Sequence, residues 1–165
     1  MTLIVMTGLP GSGKSTIAAQ LAGELGCAVV SVDTIERGLH DAGVDASQPT
    51  GLAAYAVANR LVDAQLALGH TVVADAVNHH PDARQAWLDL AADHGVELRV
   101  IHVECSDETL HRERLETREH ELRVVPWERV IELRGTWAPW PVETETVDTA
   151  RSTTGCSTPP ADLRD

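Results

Sequence analysis

Eight residues near the amino end, Gly8-Leu9-Pro10-Gly11-Ser12-Gly13-Lys14-Ser15, constrain this chain more than any other stretch. The spacing GxxxxGK followed by Ser or Thr has a mechanism only where a strand feeds a glycine turn that opens a helix. Both flanks comply. Leu3 to Met6 is a short apolar run, and Ser15 to Leu25 sets Ile17, Ala18, Leu21, Ala22 and Leu25 on one helical face before Gly26 stops it. Gly8, Gly11 and Gly13 let successive backbone N–H groups converge on phosphate oxygens without Cβ clashes, and the helix start adds its positive dipole end. Ser12 and Thr16 complete the cradle. Lys14 is expected to reach the β- and γ-phosphates of a nucleoside triphosphate, and the Ser15 hydroxyl to sit on Mg²⁺.

Downstream, apolar runs alternate with helical patterns, the signature of βαβ units and a parallel sheet covered on both faces. Cys27 to Val32 reads as a second strand ending at Asp33, and Thr34 to His40 as a short helix. Gly51 to Leu68 reads as a long helix, and Thr71 to Ala74 as a third strand ending at Asp75. Pro81 opens a helix to about His94, Val96 to Val103 forms a fourth strand, and a helix starts at Ser106, Asp107 and Glu108. Pro126 opens another helix to about Arg134, and Glu143 to Val147 forms a fifth strand. The expected fold is therefore an α/β, three-layer α/β/α P-loop domain with a parallel sheet of about five strands. It spans residues 1–149, with a helical arginine lid at about 111–125 and a polar tail at 150–165.

At 165 residues one domain is the natural size. No apolar run approaches the roughly 20 residues that cross a bilayer, and the amino end lacks a basic leader, so a cytoplasmic location with no membrane partner is expected. Cys27, Cys105 and Cys156 show no zinc spacing and read as reduced structural thiols. With 25 acidic against 13 basic side chains the net charge is -12, which argues against a polynucleotide partner while leaving room for a local basic cleft.

In an open parallel sheet ligands collect beyond the carboxyl ends of the strands. Asp33 can there accept an acceptor hydroxyl's proton, or cap the helix that begins at Thr34, and the two roles are compatible. Arg37, one turn on, suits an anionic group of the acceptor. Asp75 is placed like a Walker-B carboxylate for Mg²⁺, and Asn78 suits substrate hydrogen bonding, with His79 and His80 on the same loop. Arg114 and Arg118, at i and i+4, suit a lid over the nucleotide that stabilises charge on the transferred phosphoryl. Arg112, set among glutamates, reads as a surface ion-pair residue. Trp127, Trp137 and Trp140 read as packing rather than site residues.

These residues resemble the small AAA-type P-loop kinases grouped around the phage polynucleotide 5′-kinase, with chloramphenicol phosphotransferase and the zeta-toxin kinases more distant. The likeness covers about Leu3 to Leu133. It runs through the phosphate loop to Thr16, Val32-Asp33-Thr34-Ile35-Glu36-Arg37, Asp75-Ala76-Val77-Asn78, Pro81, Arg84-Gln85-Ala86-Trp87, Arg114 to Arg118 and Val125-Pro126. The resemblance implies that Asp33 is the general base, that Arg37 contacts the acceptor, and that Arg118 is the lid arginine with Arg114 a turn before it. The family's Asp-Thr-Asn is one residue longer here. The expected reaction is transfer of the γ-phosphoryl group of ATP, with Mg²⁺, to a hydroxyl of a small molecule such as a nucleoside, a sugar or an antibiotic. The alternatives are a polynucleotide 5′-hydroxyl kinase, a nucleoside-monophosphate kinase, or an ATP-binding regulatory switch.

Overall fold

A computed structural model describes residues 1–45, 47–117 and 125–151. Along the chain run β1 (Thr2–Thr7), α1 (Lys14–Leu25), β2 (Ala28–Ser31), α2 (Val32–Asp41), α3 (Thr50–Ala67), β3 (Val72–Asp75), α4 (Pro81–His94), β4 (Glu97–Glu104), α5 (Glu108–Glu116), α6 (Trp127–Gly135) and β5 (Thr144–Asp148). The five strands form one parallel sheet in the order β2-β3-β1-β4-β5.

Period-two alternation along β1 explains the layers. Leu3 and Val5 face one way, into a core shared with Ala54, Ala58, Val62 and Leu66 of α3 and Trp87 and Ala91 of α4. Ile4 and Met6 face the other way, against Ala18, Leu21 and Ala22 of α1. Both faces of a central strand are thus apolar, as a parallel sheet covered by helices demands. A smaller cluster joins Leu115, Trp127 and Val130 of α5 and α6 to Leu9 of the phosphate loop.

The expected α/β/α architecture and five parallel strands are present. One boundary differs in a way that matters. β2 stops at Ser31, whose hydroxyl accepts the Thr34 N–H, so α2 begins at Val32 and Asp33 lies in its first turn. Ser31, not Asp33, is therefore the residue that caps the helix.

Candidate active site

Register brings the carboxyl ends together. Asp75 pairs with Met6 of β1 on one side and Ser31 of β2 on the other, so the carboxylate that ends β3 lies between the start of the phosphate loop and the start of α2. Asp75 is 2% exposed, whereas Asp33 is exposed and Arg37 half-buried. Tyr55, from α3, lies within the field of both carboxylates. Its hydroxyl accepts the Asn78 N–H at 3.0 Å, and burial, with the charges of Asp33 and Asp75, pushes its pKa up to about 12.

The phosphate loop has the backbone that its glycines predict. Gly8 has φ 153°, and a Cβ there would lie 2.3 Å from the Val103 carbonyl oxygen of β4. No side chain fits that approach. Gly13, at φ 94°, forms the left-handed cap from which α1 starts. Lys14 begins α1 and is 2% exposed, and among the described residues no hydrogen bond or ion pair engages its ammonium. Ser12 is also buried, its hydroxyl without a partner among the described residues, while Ser15 is half-buried and Thr16 exposed. Lys14 thus stands next to the glycine turn with no carboxylate partner among the described residues.

Asn78 is not brought into this cleft. It is 0% exposed, with φ 55°; its amide nitrogen donates to the Met6 carbonyl at 2.8 Å and its amide oxygen accepts from Trp87 Nε1 at 2.9 Å. Its carbonyl accepts from Arg84 Nε at 2.7 Å. The expectation that Asn78 hydrogen-bonds substrate is corrected accordingly, because both ends of its side chain are spent within the fold. It ties β1, α3 and α4 together behind the site. Asn78→Ala strands a buried carbonyl and a buried indole N–H, a loss of roughly 3 kcal/mol. A fall of about 10 °C in Tm is expected in a thermal melt; a fall within about 2 °C would remove this assignment.

Arg84, which the sequence marked only through resemblance, is buried at 3% exposure. Its guanidinium donates to the Ala138 carbonyl at 2.6 Å and lies over Trp137 and Trp140. The Trp loop thus packs onto α4, as its aromatic and proline content suggested.

Arg114 is engaged within the fold. Its guanidinium donates to Thr149 Oγ1 at 2.7 Å, just past β5. Arg112 pairs with Glu116 on the surface at 3.1 Å. Arg118 lies outside the described residues, as do the rest of the expected lid from 119 to 124, Cys156 and the tail beyond residue 151. The oxygen groups that could hold Mg²⁺ here are the Ser15 hydroxyl and the Asp75 carboxylate. Hard oxygen ligands few in number, supplemented by phosphate and water, are what that ion takes.

Sequence reasoning missed Tyr55, His111 and Thr149. His111 is 1% exposed and its Nε2 lies 2.7 Å from the Pro10 carbonyl oxygen, 101 residues away in the chain. Burial lowers its pKa first, with Arg134 and Arg114 adding to the effect against the opposing pull of the Pro10 carbonyl. No local pattern signals such contacts.

The family described as an AAA domain matches residues 3–134. Uncharacterized proteins of Mycobacterium bovis and Mycobacterium tuberculosis are 34% identical over 115 residues, a match covering 63% of this chain and 23% of theirs. This chain therefore corresponds to less than a quarter of the length of those relatives. Among solved structures, a candidate kinase of Chloroflexus aurantiacus is similar at TM-score 0.75 and 21% identity, over 91% of this chain and 89% of that one. A gluconokinase of Sinorhizobium meliloti is similar at TM-score 0.65 and 19% identity, over 91% and 83%. The APS kinase CysC of Mycobacterium tuberculosis, in complex with AMPPNP and APS, is similar at TM-score 0.57 and 21% identity, over 71% and 69%. The fold is that of the P-loop kinases. No helix among the described residues is long and apolar enough to cross a membrane.

Proposed function

The chain belongs to the AAA-domain family, and from that premise we propose that it is an ATP-dependent kinase that phosphorylates a hydroxyl of a small molecule. The observation that carries this reading is Lys14, 2% exposed and without a carboxylate partner among the described residues, at the head of a helix that starts from a left-handed glycine cap. A triphosphate supplies the missing negative charge. The kinase folds of the gluconokinase and the APS kinase support a small acceptor, and the net charge of -12 disfavours a polynucleotide.

In the proposed reaction the loop amides of Gly11 and Gly13, the Ser12 hydroxyl and the Lys14 ammonium hold the β- and γ-phosphates, with Gly8 allowing the turn. Ser15 and Asp75 would hold Mg²⁺, which when bound offsets charge on those phosphates. Asp33 takes the proton of the attacking hydroxyl as the γ-phosphorus–oxygen bond to ADP breaks and the new phosphate ester forms. Arg37, on the same face of α2 one turn later, steadies an anionic part of the acceptor, and Arg118 meets charge on the transferred group. Arg114 supports the loop indirectly.

The test follows ATP loss with Mg²⁺ in the presence of separate panels of sugars, nucleosides, hydroxyl-bearing antibiotics, nucleoside monophosphates and 5′-hydroxyl oligonucleotides. Stimulation by one class of small alcohol is expected. Slow hydrolysis that no added alcohol accelerates would point to a regulatory switch instead.

A further inference from the structure

An anion cradle made of backbone has a requirement that its motif does not meet. For successive N–H groups to turn inward, the carbonyls between them must turn outward, and buried carbonyls need donors. Two of the loop carbonyls find theirs within the loop and helix: the Leu9 oxygen accepts the Ser12 N–H at 3.1 Å, and the Gly13 oxygen accepts the Thr16 N–H at 3.1 Å. The oxygens of Pro10 and Ser12 are met instead by side chains from far along the chain.

On the Pro10 side the donor is His111 of α5. The Pro10 carbonyl can only accept, so Nε2, 2.7 Å away, carries the proton. Nδ1 is buried and has no partner among the described residues, which suits the neutral imidazole and no other form. The ring is fixed edge-on against Trp127, with centroids 5.3 Å apart, and a Cβ on Gly11 would lie 3.1 Å from its Cδ2. The ring therefore supports the loop at its tightest point as well as donating to it.

On the Ser12 side the donor is Thr149, whose Oγ1 is 2.8 Å from the Ser12 oxygen. The direction of its proton is settled by Arg114. A guanidinium only donates, so Oγ1 must accept from Arg114 at 2.7 Å, and its single proton is left for a carbonyl. The Glu104 oxygen is farther, at 3.1 Å, and already accepts Thr149's own N–H at 2.8 Å. The proton goes to Ser12.

We propose that His111 and Thr149, the latter oriented by Arg114, are positioning residues that brace the outer carbonyls of the phosphate loop and so keep its amides aimed at the nucleotide phosphates. The brace rests on the proposed nucleotide-binding reading. It also gives α5 a second role: one helix holds two carbonyls of the loop, Pro10's through His111 directly and Ser12's through Arg114 at one remove.

Calorimetric titration with MgADP tests the brace in four variants, each paired with a melt of the nucleotide-free protein. His111→Phe keeps a ring against Trp127 without a donor, and Thr149→Val keeps the shape without the hydroxyl. His111→Gln and Thr149→Ser return a donor at each place. His111→Phe and Thr149→Val are expected to weaken MgADP binding about three- to tenfold each, the worth of one hydrogen bond. Their nucleotide-free Tm should stay within about 3 °C, and His111→Gln and Thr149→Ser should recover most of the affinity. Wild-type affinity in His111→Phe and Thr149→Val, or equal losses in the donor-restoring pair, would overturn the brace while leaving nucleotide binding intact. Absence of MgADP binding by the wild-type chain would instead remove the underlying reading, and the brace with it.

Discussion

Lys14→Met is expected to lower phosphoryl transfer by at least about a hundredfold, the scale on which removing one preorganised charge donor acts, while the nucleotide-free protein melts no lower than wild type. The two halves of that result come from one cause. Lys14 is 2% exposed and no carboxylate pairs with its ammonium among the described residues, so in the absence of nucleotide it is a charge that the fold must tolerate. Methionine keeps the length and apolar stem that fill the space and removes the charge. Stability should hold or rise, whereas MgADP affinity, read by calorimetry, should fall steeply. Coupled loss of both, with early melting, would mean that Lys14 is a structural cation and that the anion belongs elsewhere.

Asp33→Asn separates chemistry from binding. A carboxylate that accepts the acceptor's proton contributes about 10²- to 10⁴-fold, so turnover should drop by that order with MgADP affinity unchanged. The side chain is exposed in the first turn of α2, and Ser31 already caps that helix. Asparagine there costs only a helix-dipole contribution of about 0.3–1 kcal/mol. A Tm near wild type is therefore part of the expectation. Turnover within about threefold of wild type would place the base at another residue.

The contrast between Asn78 and His111 shows where sequence reading stops. Asn78 lies beyond a strand end beside Asp75, the position at which ligand-binding residues are sought, and its neighbours in sequence favoured a substrate contact. Only the folded chain reveals that Met6 and Trp87 take up both ends of its amide. His111 sits at the start of the stretch read as an arginine lid, yet it is buried against the phosphate loop. Asp33 illustrates a smaller shift: strand and cap differ from the expected boundary by two residues because Ser31, with its own hydroxyl, starts the helix first.

What the sequence alone determined is local or periodic. The glycine spacing before Lys14 allows one kind of turn, and the alternation of apolar runs with helical faces allows a parallel sheet between helices. These follow because steric limits and burial periodicity act over a few residues. Which side chains complete the loop was decided by tertiary structure, since Thr149 meets Ser12 across 137 residues and only the strand order brings their ends together. A hydrogen bond between distant residues leaves no period in the chain. It depends on where five strand ends come to lie side by side.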